Sequence, residues 1–335
     1  MNGKKVLINV YHLAERKAPY LQRLRDAGFE LEFNRFKRQQ NEDELIAALP
    51  NAFATFAGGE PYTERVLASP AARDLKIIAR FGVGYDKVDV KAATQHGVVV
   101  AMAFGANHES VADGAFALMA ACAGDIVNRD RLVRTGGWGS AFHLGLWHST
   151  VGLVGMGRIG RALAKRCQGF DMRVIASDPA PDRAWAQANN VTLMPLAQLL
   201  RESDFVSLHA PWNPETESMI NAERLALMKP SAYLINTARG HLVDEDALYH
   251  ALKARTIAGA GIDAFRREPP TGSRLLSLDN IVFTPHSSGM DITAEHAMAN
   301  RVIDSILAMW NGQDPGKEFI LNPEAVRATQ GSLHA

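Results

Sequence analysis

Short apolar runs recur along the chain, each followed by a turn and then by a stretch in which apolar residues return every three or four positions. The runs occupy 6–10, 31–36, 54–57, 77–81 and 98–103. Past a long helical stretch at 110–133 they resume at 151–154, 173–176, 205–209, 232–236, 261–264 and 281–284. Strands this short, apolar throughout and separated by helical patterns suit parallel sheets buried on both faces. The pattern predicts an α/β protein of two doubly wound parallel-sheet units in series. After Gly289 it becomes purely helical through Trp310. An amphipathic helix with no strand behind it needs a sheet to cover, so it is expected to return to the first unit. That makes an outer domain of 1–104 plus 290–335, interrupted by a second domain at 105–289.

Composition narrows the partners. At roughly 150 residues per domain, 335 residues agree with two domains. The 36 Lys and Arg balance the 36 Asp and Glu, so no global field favours nucleic acid or an acidic membrane. With 47% hydrophobic and 21% charged residues the chain is far from the disordered regime. Cys122 and Cys167 have no metal-ligand spacing, so no metal is expected, and free thiols suit a reducing compartment. The N-terminal apolar run is broken by charge before a signal core could form. A soluble cytoplasmic protein with a small-molecule or protein partner is the expectation.

Gly155, Met156, Gly157, Arg158, Ile159 and Gly160 follow a strand and open a helix expected over 161–169. This is the context in which GxGxxG marks a dinucleotide site, the Rossmann arrangement. Gly155 allows a tight turn, Gly157 lets backbone approach a pyrophosphate, and Gly160 lets helix and strand pack closely. The amides of Arg158 and Ile159 at the helix N-terminus would hold the phosphates. The next strand ends in Asp178, where an acid reads the adenine ribose 2′-hydroxyl and repels a 2′-phosphate, which favours NAD over NADP. Asp178 before Pro179 would equally start a turn, and Arg158 and Arg173 keep NADP open.

Ligands of an open α/β sheet bind beyond the carboxyl ends of its strands. Arg239, Glu268 and His286 all follow apolar runs closely. Hydride transfer at an alcohol carbon needs a group that takes and returns the hydroxyl proton, and histidine titrates in the right range. His286 is that candidate, Glu268 would orient it and favour its protonated form, and Arg239 could grip a carboxylate or polarise a carbonyl. Each also has a plainer reading as a loop histidine, a surface acid or a solvated turn residue.

The glycine fingerprint, the block 235–248, Gly261 to Asp263 with Glu268-Pro269, and Thr284-Pro285-His286 resemble the D-isomer-specific 2-hydroxyacid dehydrogenase family in order and spacing. Further blocks similar to the family are 81–86, 109–113 and 208–211 with Thr216. The resemblance implies a flavodoxin-like outer domain, a Rossmann cofactor domain and a cleft that closes between them. The family's Arg/Glu/His set falls on Arg239, Glu268 and His286. Val83 and Gly84 would offer amides to the substrate carboxylate, with Arg239 and His286 as further substrate contacts. Asp263 and the backbone at Thr237 and Ala238 would hold the nicotinamide carboxamide, and His209, Pro211 and Thr216 would border the cofactor. The family is typically homodimeric through the cofactor domain, here with an arm at about 110–150 that includes Gly136, Gly137 and Trp138. Asp113 stands where many members carry Glu.

The loops after the first three strands are expected to wall the substrate site: Tyr11, His12 and Leu13 with Arg16 and Lys17; 34–38 with Arg35; and Gly58, Gly59 and Glu60. Phosphoglycerate-oxidising relatives tend to carry arginine on the third loop, which here is uncharged or acidic. His12 and Glu60 are polar for a lactate pocket. The favoured reading is an NAD-dependent reductase of a small polar 2-keto acid, glyoxylate or hydroxypyruvate. D-3-phosphoglycerate dehydrogenase is the alternative substrate reading. An NAD-sensing corepressor is the alternative of another class, although the partner-binding extensions of such proteins are missing from this sequence.

Overall fold

The computed structural model describes residues 5–13, 18–139 and 142–326, so Arg16 and Lys17 lie outside the described residues. Two units emerge, Met1–Asn107 with Ile292–Ala335, and His108–Asp291.

The first unit is built on β1 (Lys5–Ile8), β2 (Glu30–Phe33), β3 (Ala52–Ala57), β4 (Ile77–Arg80) and β5 (Val99–Met102), in the order β2-β1-β3-β4-β5. All pairings are parallel. This is the flavodoxin-like order, whose direction reverses between β1 and β3. Successive strand residues face opposite sides, and the two sides are both covered. Val6, Ile8, Ile77 and Val99 pack with Val302, Ile303, Ile306 and Met309 of the helix Ile292–Trp310. Leu7, Ile78 and Val100 pack with Leu45, Leu49, Val66 and Leu67 on the other face.

Asn322 finishes the sheet edge. Its Oδ1 accepts from Val100 N at 2.8 Å, and its Nδ2 donates to Val98 O at 2.9 Å and Thr94 Oγ1 at 3.0 Å. The side chain is fully buried, so nothing from solvent can replace it. Asn322→Ala is expected to strand the Val100 amide and the Val98 carbonyl at about 1–3 kcal/mol each. Urea unfolding should show a loss of about 2–5 kcal/mol, and a change below about 0.5 kcal/mol would show the clamp to be dispensable.

The second unit contains β6 (Thr150–Val154), β7 (Arg173–Ser177), β8 (Thr192–Leu193), β9 (Phe205–Leu208), β10 (Tyr233–Asn236), β11 (Gly259–Ile262) and β12 (Ile281–Phe283). Their order is β12-β11-β10-β9-β6-β7-β8, again all parallel. The direction reverses between β6 and β9, the Rossmann switch point. Both units are therefore doubly wound parallel-sheet α/β folds, as the apolar pattern requires.

Three local expectations change. The two-residue β8 has no counterpart among the expected strands, because two residues carry no periodicity. The helix expected over 161–169 starts earlier, at Arg158, with Gly157 as its N-cap. The single helix expected over 110–133 is two, His108–Ala123 and Ile126–Arg134, bent by 58° at Gly124 and a left-handed Asp125. The first buries Ala115, Leu118, Met119 and Cys122 against the sheet, whereas the second buries nothing, so the chain leaves the sheet at the break. No single described helix is long and apolar enough to cross a membrane.

Candidate active site

The three fingerprint glycines differ in what surrounds them. Gly155 has φ +97°, and a Cβ there would lie 2.8 Å from the His209 carbonyl. A Cβ on Gly160 would lie 2.4 Å from Gly155 O, so only glycine lets the helix Arg158–Gln168 sit this close. At Gly157 a Cβ would meet nothing within 4 Å, leaving open space in front of the helix. Arg158 and Ile159 lie in its first turn, where amides have no intrahelical acceptor.

Asp178 follows β7. Its Oδ1 accepts from Ala180 N at 2.8 Å, the bond of a turn starter, and its Oδ2 from Met156 N at 2.7 Å, inside the glycine loop. The second bond is one that a turn alone does not need. It places the carboxylate against the fingerprint with lone pairs to spare for hydroxyls.

Four more loops leave the same sheet edge. After β9, His209 Nε2 meets Ser207 Oγ at 2.9 Å while its Nδ1 is buried without a partner. Thr216 Oγ1 donates to Pro211 O at 2.8 Å and accepts from Asn213 N, folding that loop on itself. After β10, Asn236 accepts from Ala238 N at 3.1 Å and donates to Arg239 O at 2.9 Å, which fixes the turn carrying Thr237, Ala238 and Arg239. Thr237 Oγ1 is buried and unpaired, and Arg239 Nη1 donates to Ala238 O at 2.7 Å.

The loop after β12 carries His286 at φ +52°, a left-handed conformation that needs support. The buried Asp263, just past β11, supplies it. Its Oδ1 accepts from Thr284 Oγ1 at 2.6 Å and Ser287 N at 2.9 Å, its Oδ2 from Ser288 N at 3.2 Å, and its carbonyl from His286 N at 2.9 Å. Both flanks of the histidine are thus tied to one carboxylate. The imidazole meets Glu268, Nδ1 to Oε1 at 2.7 Å, with both side chains partly exposed. Glu268 Oε1 also accepts from Phe265 N at 3.0 Å. Burial works to raise the Glu268 carboxyl, but the bond and charge of His286, the Phe265 amide and the Arg239 charge outweigh it and hold the group below its usual range.

In the first unit, Gly82 has φ +149° and donates to Arg80 O, and its carbonyl accepts from Ala103 N. Among the described residues the amides of Val83 and Gly84 donate to no protein acceptor. Glu60, expected as a polar group on a loop walling the substrate site, is fully buried, with Oε1 accepting from Gly58 N and Tyr62 Oη at 2.9 Å each. The two neighbouring donors drew it inward, and sequence spacing does not reveal that. Arg35 is exposed, and Arg38 is turned to Glu44 at 2.6 Å.

Several contributors lie outside the residues singled out from sequence. Asn236 and Ser207 brace Arg239 and His209. Trp212 stacks on His241 with ring centroids 4.3 Å apart. A polar residue ending an apolar strand was the one signal for Asn236.

The residues fit a nicotinamide dinucleotide: open space before a helix N-terminus, an acid braced at the fingerprint, and orphaned buried polar atoms on His209 and Thr237 at the same sheet edge. Fold and site together define an NAD-binding dehydrogenase, and His286 and Glu268 form a hydrogen-bonded histidine–carboxylate pair in it. Residues 116–288 match the family model described as D-isomer specific 2-hydroxyacid dehydrogenase, NAD binding domain. The chain belongs to this family and is an NAD-dependent oxidoreductase of 2-hydroxy acids. It is 44% identical over 264 residues to a glyoxylate reductase of Korarchaeum cryptofilum, covering 77% of this chain and 79% of that protein. It is 37% identical to a D-3-phosphoglycerate dehydrogenase of Archaeoglobus fulgidus, covering 86% of this chain but 55% of that longer protein. The crystal structure of a D-lactate dehydrogenase from Aquifex aeolicus complexed with NAD and lactic acid superposes with a TM-score of 0.84 at 26% identity, covering 95% and 99% of the two chains.

Burial pushes the His209 imidazole down to about 4, against about 6.5 in an unfolded chain. Between those values the unfolded state binds a proton that the folded state refuses, so stability is lost as pH falls from about 6.5 towards 4. The wild type should lose about 2 kcal/mol more than His209→Gln between pH 7 and 4.5, within the roughly 3 kcal/mol that the full shift allows. Chemical unfolding at the two pH values measures this, and equal losses would refute a neutral buried imidazole.

Proposed function

We propose that the chain reduces small unphosphorylated 2-keto acids, glyoxylate or hydroxypyruvate, to the corresponding 2-hydroxy acids, with NADH preferred over NADPH. The observation that carries this reading is the 2.7 Å contact between His286 Nδ1 and Glu268 Oε1. An Nδ1–H donated to Glu268 leaves Nε2 as the proton donor to the substrate carbonyl oxygen. Bound NADH supplies the hydride. Arg239 grips the substrate carboxylate and polarises its carbonyl, and its charge reaches Glu268 as well. The unengaged amides of Val83 and Gly84 are the proposed further donors to that carboxylate. Asp178, braced on Met156 N, reads the ribose and disfavours a 2′-phosphate. Asp263 is the proposed carboxamide partner, with one lone-pair direction left after its three loop bonds. The glyoxylate reductase relative supports the substrate, and the buried Glu60 places no cation on the third loop for a phosphorylated one.

An NADH-oxidation screen over glyoxylate, hydroxypyruvate, pyruvate, 2-ketogluconate and phosphohydroxypyruvate, repeated with NADPH, should find the first two best and NADH preferred. His286→Ala should lower kcat by about 10²–10⁴ with NADH affinity within twofold, and Arg239→Ala should act mainly on KM for the keto acid. A chain that binds NADH and reduces none of the five would end the reading and favour a sensor.

We further propose a cytoplasmic homodimer. Ile126, Val133, Trp138, Phe142 and Trp147 are exposed along one stretch of the second unit, Trp138 at 92%, a concentration of apolar surface that a second copy would cover. Cys122 and Cys167 are buried free thiols pushed up to about 12 by burial, inert in a reducing compartment. Sedimentation should give twice the chain mass, and Val133→Ser with Trp138→Ser should shift it towards the monomer. A wild-type monomer at micromolar concentration would refute the dimer.

A further inference from the structure

Gly114 stands in the interior of the helix His108–Ala123, where glycine is disfavoured relative to alanine. What it faces is the histidine loop of the same unit. A Cβ built on Gly114 would lie 2.4 Å from Ser288 Cβ, 2.6 Å from its Oγ and 2.8 Å from its Cα. Carbon atoms rest roughly 3.5–4.0 Å apart, so a methyl group here would overlap both the side chain and the backbone of Ser288. Both sides of the contact are held. Beside Gly114 the helix is fastened by Arg166, whose Nε donates to Asp113 Oδ1 at 2.6 Å, with Nη1 donating to Glu109 Oε2 at 2.7 Å and Nη2 to Glu109 O at 3.1 Å. The helix buries Ala115, Leu118 and Cys122, and Cys122 Sγ donates to Ala260 O of β11 at 3.4 Å. On the loop side Ser288 N donates to Asp263 Oδ2 at 3.2 Å, one of the bonds that support His286 in its left-handed conformation.

A side chain at position 114 therefore displaces Ser288 rather than the helix. The Ser288 bond is the longest of the three that the Asp263 carboxylate accepts from this loop, so it has the least reserve against displacement. We propose that Gly114 is a positioning residue for proton transfer: bare helix backbone is the surface on which Ser288 rests, and through the Ser288–Asp263 bond it fixes where the loop holds His286. The inference rests on the reading of His286 as the proton donor to the keto acid. It adds a residue that acts on that step through Ser288 and Asp263.

The test measures kcat and KM for glyoxylate, together with NADH affinity, in the wild type, Gly114→Ala, Ser288→Gly and the double variant. Gly114→Ala should lower kcat at least tenfold, with KM and NADH affinity within threefold of wild type. Ser288→Gly removes the two atoms nearest the added methyl group, so the double variant should recover kcat to within threefold of Ser288→Gly alone. A glycine needed only for packing would move the unfolding midpoint and leave kcat of the folded, NADH-binding enzyme unchanged. A fall smaller than tenfold, a loss that the double variant does not relieve, or a parallel loss of NADH affinity overturns the proposal. Should Gly114→Ala fail to fold, Ser288→Thr crowds the same contact from the loop side and should give the same split between kcat and NADH affinity, and a smaller fall there overturns it. His286→Ala, run alongside, keeps the two readings apart. Turnover lost in His286→Ala but kept in Gly114→Ala removes only the role of Gly114, whereas turnover that survives His286→Ala, or a wild type that reduces no 2-keto acid, removes the function reading.

Discussion

The carboxylate of Asp263 holds together the candidate active site. His286 occupies a left-handed backbone conformation that L-residues adopt only under constraint. Hydrogen bonds from Thr284, Ser287 and Ser288 to one buried side chain, and from His286 N to the Asp263 carbonyl, impose that constraint. Without them the imidazole has no reason to meet Glu268. Asp263 also sits one residue past β11, so its own position follows from the parallel ladder with β10, in which Ile262 pairs with Asn236. Sheet register thus reaches the His286–Glu268 pair through a single acid.

Parallel strands explain why the other groups gather where they do. All seven strands of the second sheet end on one edge, and six of the loops leaving it carry the candidate groups: glycine-loop amides after β6, Asp178 after β7, His209 after β9, Arg239 after β10, Asp263 and Glu268 after β11, and His286 after β12. Secondary bonds then fix each loop separately. Asn236 braces Arg239, Ser207 meets His209, and Thr216 folds the loop of Pro211. Positioning is distributed, but the direction in which everything points is set by the sheet.

Much of this was legible in the sequence. Apolar runs located eleven of the twelve strands, because a strand buried on both faces must be apolar throughout. The glycine spacing marked the phosphate loop because Gly155 and Gly160 leave no room for a side chain and Gly157 opens the helix. The break at Gly124 and Asp125 was not legible, since helical periodicity continues across it and only departure from the sheet ends the first helix. Nor was the orientation of Glu60, which reads as a polar residue on a loop walling the substrate site and proves buried, a tyrosine two residues on and a glycine amide two residues back both donating to it.

The sequence by itself determined the family, the candidate site residues and what kind of sheet presents them, since strand pattern and glycine spacing are local properties. Only the tertiary structure decided how those residues are oriented. Asp263 meets Thr284 across 21 positions, Glu268 meets His286 across 18, and Asn322 reaches Val100 across 222. A polar side chain turns towards whichever donor the fold brings near, and strand order, not chain proximity, chooses that donor.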